Sequence, residues 1–158
     1  MIRTTLVYLQ DQGYWLMLRR DKKKQDINAG KWIGTGGKLE EGETPRACAY
    51  RETVEETGLK PASLTYRGTV YFCYGDIDSE KMYVYTGTVN DRAFSDSDEG
   101  TLAWIREEDI LTLPLWEGDK AFLPLLMKPA DIFCMSLLYD QHGNLLKVET
   151  LPAETENQ

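Results

Sequence analysis

The sequence predicts an α+β domain built in layers. Apolar runs with a two-residue period stand on both sides of one long helical stretch, and a second apolar helical run follows late in the chain. At 158 residues with 42% hydrophobic content the chain fits a single compact domain. A core of that size buries roughly 70% of the unfolded surface. We expect that domain over residues 1–150 and a disordered polar tail over 151–158.

Each element has its own signature. Ile2 to Gln10 and Tyr14 to Arg19 are β-rich runs joined through Asp11-Gln12-Gly13, which predicts a hairpin. Arg20 to Ala29 is polar, without apolar period, and reads as a functional rim. Its Lys22-Lys23-Lys24 triplet is more simply a solubilising cluster, with Lys23 carried forward as a substrate contact. Thr44-Pro45 is an N-cap and first helical position, and Gly58 stands where a helix stops. Together they predict a helix over Pro45 to Thr57. Leu64 to Tyr74 and Glu80 to Val89 alternate as strands around an Asp/Gly-rich turn. Asn90 to Glu99 is an acidic loop, Thr101 to Ile105 a short strand, and Arg106 to Asp109 the start of a helical turn. Leu115 to Met127 predicts an amphipathic second helix interrupted near Pro124. Asp131 to Tyr139 and Leu145 to Thr150 close the domain as a hairpin. The only histidine, His142, occupies its turn with no Asp, Ser or Cys constellation around it, so proton transfer falls to a carboxylate or a metal-bound water.

Composition removes several function classes. A net charge of −8 with no basic run argues against a nucleic-acid groove. No signal pattern and no apolar run of about 18 residues appears, which predicts a cytoplasmic protein without membrane association. Cys48, Cys73 and Cys134 form no CxxC pair and read as buried apolar residues in a reducing compartment. A monomer or small homo-oligomer is expected.

The chemistry concentrates between Gly36 and Leu59. Glu52, Glu55 and Glu56 sit at three- and four-residue spacings on one helix side. Each like-charge pair costs roughly 0.2–0.5 kcal/mol, and the helix dipole disfavours anions in its last turns. Such a cluster is either a solvated acidic face or a site for a hard divalent cation such as Mg²⁺.

Spacing decides between them. Gly37, five residues, Glu43, seven residues, then Arg51-Glu52-Thr53-Val54-Glu55-Glu56-Thr57-Gly58-Leu59 resembles the box of the Nudix hydrolases. Thr53 is the one departure, standing where that family has Ile, Leu or Val. The resemblance implies an α/β/α sandwich with a mixed sheet and a catalytic loop-helix-loop. It also implies Mg²⁺ (or Mn²⁺) held by Glu52, Glu55, Glu56 and the Gly36 carbonyl. Glu55, Glu56 and Arg51 are carried as catalytic, Arg51 by pairing with a nearby carboxylate. Glu99, in Ser97-Asp98-Glu99, is carried as the further carboxylate, with Asp98 its alternative.

Beyond the box the chain resembles the MutT-type 8-oxo-dGTP diphosphatases, through Ala29-Gly30-Lys31-Trp32 and Leu115-Trp116-Glu117-Gly118-Asp119. That implies a small-molecule nucleotide substrate, with Trp116 and Asp119 at the purine and Trp32 as a further contact. Gly118 and Ile33 replace an Asp and an Asn of the animal enzymes, so base selectivity differs or broadens. Other (d)NTPs, ADP-ribose and dinucleotide polyphosphates are the rival substrates. A non-catalytic binding module is the rival class, and retention of every box glutamate speaks against it.

Overall fold

The computed structural model describes residues 1–22 and 26–158, the side chain of Asp78 excepted. Strands β1 (Ile2–Asp11) and β2 (Tyr14–Arg19) form the hairpin, and a two-residue β3 (Trp32–Ile33) adds to β2. Helix α1 spans Pro45–Thr57. Strands β4 (Ser63–Tyr74), β5 (Ile77–Thr88) and β6 (Thr101–Arg106) follow. Helix α2 (Leu123–Leu126) and strands β7 (Phe133–Tyr139) and β8 (Leu145–Thr150) complete the chain.

One sheet runs β3-β2-β1-β5-β4-β7-β8, with β6 paired to β2. It is mixed. β1 lies parallel to β5, from Ile2 opposite Glu80 to Leu9 opposite Gly87, and β4 lies parallel to β7. The other pairs, β1 with β2 and β4 with β5 among them, are antiparallel. β1 carries a near-continuous buried run because both its faces are covered. Leu6 and Tyr8 join Trp15, Met17 and Phe72 beneath Phe122, Leu123 and Leu126. Val7 and Leu9 join Leu16 and Leu18 on the opposite face, with Ala49 of α1. The result is the predicted α+β sandwich.

Local chemistry delimits α1. The Thr44 hydroxyl accepts from the Ala47 N–H at 3.1 Å. Gly58 takes φ 73° and its N–H returns to the Val54 carbonyl at 2.9 Å. The buried side is narrow and made of Cys48, Ala49, Thr53 and Thr57. Thr53 fills the departing box position fully buried, and its hydroxyl has no hydrogen-bond partner among the described residues.

Two expectations need correction. Leu115–Met127 is not one helix: a 3₁₀ segment over Glu117–Ala121 precedes the single turn of α2. The Gly118 N–H donates to the Tyr139 hydroxyl at 2.7 Å instead of extending an α-helical ladder, and Pro124 has no N–H to continue one. Residues 151–158 are not a loose tail either. Glu154 accepts from the Tyr71 hydroxyl at 2.8 Å, Glu156 pairs with Arg46 at 2.7 Å, and the Gln158 carbonyl accepts from Tyr83 at 2.6 Å. The low hydrophobicity that suggested disorder is offset by Arg46 of α1 and by phenolic groups on the sheet that match this acidic segment. Among the described residues no helix is long and apolar enough to cross a membrane.

Candidate active site

The cleft begins with a backbone arrangement. Residues 35–37 lie beside β1: Val7 donates to the Thr35 carbonyl at 2.6 Å and Thr5 to the Gly37 carbonyl at 2.9 Å. Gly36 sits at φ 150°, and a Cβ there would stand 1.9 Å from the Thr5 carbonyl oxygen. A Cβ on Gly37 would stand 2.5 Å from the Glu52 carboxyl carbon, so the box glycine makes room for the box glutamate.

From α1, Glu52 and Glu56 reach this glycine segment. Glu56 Oε2 accepts the Gly36 N–H at 3.2 Å. Burial pushes the Glu56 carboxyl up to about 7; the Gly36 N–H opposes this, and the charges of Glu52 and Glu99 add to it. Burial also raises Glu52. Glu99 enters from the loop before β6, where Arg20 pairs with it at 3.2 Å. Glu99 lines the cleft, whereas the neighbouring Asp98 is exposed and does not.

Arg51 works outside the cleft. Its guanidinium holds Glu43 through contacts of 2.7 and 2.9 Å, Glu52 at 2.9 Å and Glu55 at 3.2 Å, and donates to the Lys38 carbonyl. It thus ties the glycine loop to the helix. Glu55 is drawn to Arg51, is largely exposed, and does not line the cleft with Glu52 and Glu56. Among the described residues no three His, Cys, Asp or Glu side chains are grouped as a metal centre. The donor chemistry nonetheless fits a hard divalent cation: Glu52, Glu56, Glu99 and Gly36 line one cavity and offer oxygen alone.

The same cleft, about 430 Å³, is also lined by Trp116 and Asp119. Trp116 is only 4% exposed. Its indole N–H donates to Asn28 Oδ1 at 2.6 Å, Lys31 Nζ stands 4.6 Å from the ring, and Phe72, Tyr74 and Tyr139 meet it edge-on. It is core and cleft wall at once. Burial pushes Asp119 up to about 7, leaving it able to donate as well as accept near neutral pH. Gly118 is explained by its neighbour, since a Cβ there would lie 2.6 Å from the Tyr139 hydroxyl. Ile33 lines the cleft, and Asn28 supplies an amide from a different loop. Trp32 packs against the core without lining the cleft, its N–H held by the Pro114 carbonyl. Lys23 lies outside the described residues. Thr4, Arg20, Asn28 and Glu80 are cleft residues that sequence reasoning missed. For Glu80 the signal was present, because it shares the two-residue period of Met82 and Val84.

The model of the NUDIX domain matches residues 2–126. This chain belongs to the Nudix family. The Nudix chain is 29% identical over 144 residues to the mouse oxidized purine nucleoside triphosphate hydrolase, covering 90% of this chain and 89% of that one. It is 31% identical to the Nudix hydrolase YvcI of Bacillus subtilis, covering 95% and 94%. In fold it is similar to a MutT protein from Bacillus halodurans, with TM-score 0.84 at 23% identity over 95% and 97% of the chains. The protein is a Nudix hydrolase, and Nudix hydrolases generally use divalent metal ions.

Proposed function

We propose that this Nudix hydrolase is a Mg²⁺-dependent nucleoside triphosphate diphosphatase, with oxidised purine nucleotides such as 8-oxo-dGTP as its leading substrates and Mn²⁺ able to substitute. One observation carries the reading: a single cleft is lined both by Glu52, Glu56 and Glu99 and by Trp116 and Asp119. Relatives from mouse and zebrafish, 29% and 30% identical, are named oxidized purine nucleoside triphosphate hydrolases, which supports it.

Glu52, Glu56, Glu99 and the Gly36 carbonyl would hold the cation, with Glu55 able to join from the same helix. Bound there, a divalent ion neutralises phosphate charge and acidifies water. The chain's own groups do the rest. A water oxygen attacks phosphorus, its proton passes to a cleft carboxylate, and the P–O bond breaks to release pyrophosphate and the monophosphate. Arg51 acts by positioning, through Glu43, Glu52 and Glu55. Asp119, with a carboxyl near 7, offers the purine edge both an acceptor and a donor. Trp116 closes the wall beside it, tethered by Asn28.

Pyrophosphate release with Mg²⁺ tests the reading, across 8-oxo-dGTP, dGTP, other dNTPs, ADP-ribose and diadenosine polyphosphates. We expect at least a tenfold higher kcat/KM for 8-oxo-dGTP than for dGTP, about 1.4 kcal/mol of transition-state discrimination. A flat profile across nucleoside triphosphates would remove the oxidised-purine assignment and keep the diphosphatase.

A further inference from the structure

Glu80 is a cleft carboxylate that the chemistry above leaves unused. It comes from β5, where its side chain shares a face with Met82, and both line the cavity. Cross-strand pairing sets it between Ile2 of β1 and Phe72 of β4. Thr4 Oγ1 donates to Glu80 Oε2 at 3.2 Å, the one hydrogen bond to that carboxylate among the described residues. Burial raises the Glu80 carboxyl, and the Thr4 hydroxyl and the charges of Lys38 and Arg20 oppose this, although neither cation pairs with it among the described residues.

Glu80 approaches the cavity from a different element than the Nudix-box cluster. Glu56 reaches the 35–37 segment on one side of β1, whereas Glu80 stands on β5 on the other. The 35–37 segment and β5 thus flank opposite edges of β1. Of the chemical groups in a bound nucleotide, phosphate is repelled by a carboxylate. The base edge is matched by Asp119 in the reading above. Sugar hydroxyls remain, and a carboxylate accepts from a hydroxyl in a charge-assisted hydrogen bond.

We propose that Glu80, steadied by Thr4, accepts a hydrogen bond from a sugar hydroxyl of the nucleotide and makes the enzyme selective for substrates that carry it. This rests on the nucleotide reading of the same cleft. One hydrogen bond to a charged acceptor is worth about tenfold or more in affinity.

The test pairs binding with turnover. Calorimetric titration of the full chain with dGMP and with 2′,3′-dideoxy-GMP reads the hydroxyl directly, and the two triphosphates with Mg²⁺ read it in kcat/KM. The native enzyme should favour the hydroxyl-bearing nucleotide at least tenfold. Glu80→Ala should shrink that preference to within twofold while leaving the dideoxy nucleotide unchanged, and Glu80→Gln, which keeps an amide oxygen, should retain part of it. Equal losses on both nucleotides in Glu80→Ala, or no preference in the native enzyme, would overturn the assignment. Discrimination in binding without turnover keeps Glu80 and discards the proposed substrate. Failure to bind or cleave either nucleotide overturns the sugar-hydroxyl assignment, and the oxidised-purine reading is then decided separately by the 8-oxo-dGTP panel.

Discussion

Arg51 and Glu43 form a paired contact across the start of the catalytic helix, with Nε and Nη2 each meeting a carboxylate oxygen at 2.7 and 2.9 Å. The guanidinium holds the Glu43 carboxyl down at about 2. A carboxyl depressed in the folded state contributes stability at pH above its unfolded value of 4.5, and that contribution is lost as pH falls toward 2. Arg51→Met should therefore flatten the acid limb of the stability profile between pH 4.5 and 2. At pH 7 it should cost about 1–3 kcal/mol, because several partners lose one donor. Urea unfolding at pH 3 and pH 7 measures both.

Glu56 touches the Gly36 N–H and faces the cleft centre, so its charge matters more to chemistry than to folding. Glu56→Gln keeps the side-chain shape and an oxygen for that N–H. We expect the variant to fold with a thermal midpoint at or above the native one, and to lose at least about a hundredfold in kcat. Full retained activity would withdraw Glu56 from the proposed cation site.

Thr53 stands buried in the box with its hydroxyl unpartnered among the described residues, at a position where the family resemblance leads one to expect an aliphatic residue. Thr53→Val replaces that hydroxyl by a methyl of similar size. Removing an unsatisfied buried polar group should stabilise the fold by about 1 kcal/mol. Differential scanning calorimetry should show a higher Tm with activity unaltered, since Thr53 faces the sheet and not the cleft.

Asp119 gives a pH dependence of the opposite sign to Glu43. Its folded carboxyl is raised from 3.8 to about 7 by burial. Between those values the unfolded chain releases a proton that the folded one keeps, so stability falls as pH rises from about 4 to about 7 and is level above. Asp119→Asn should lack that slope. Its stability relative to the native chain should climb across the window, by at most about 4 kcal/mol. Chemical denaturation at pH 4.5, 6 and 8 decides it.

Much of this protein was legible in the chain itself. The limits of α1 follow from Thr44, Pro45 and Gly58, whose effects are local and need no partner. The strands of the first hairpin follow from β-rich runs around a turn, and those of β4 and β5 from alternation, which are properties of each segment alone. The box follows from spacing along one loop and helix, which is why Glu52 and Glu56 could be named together. Tertiary structure decided the contacts between distant segments. Parallel pairing of β1 with β5 puts Glu80 beside Thr4 in the cleft. The rim loop delivers Asn28 to Trp116, 88 residues away. The Tyr139 hydroxyl takes the Gly118 N–H and the space above it, so Leu115–Met127 winds as 3₁₀ and a single α-turn. Arg46, Tyr71 and Tyr83 hold residues 151–158 against the sheet. Local signals report the energy of a segment by itself. These outcomes depend on groups far along the chain, whose approach is set only once the sheet has assembled.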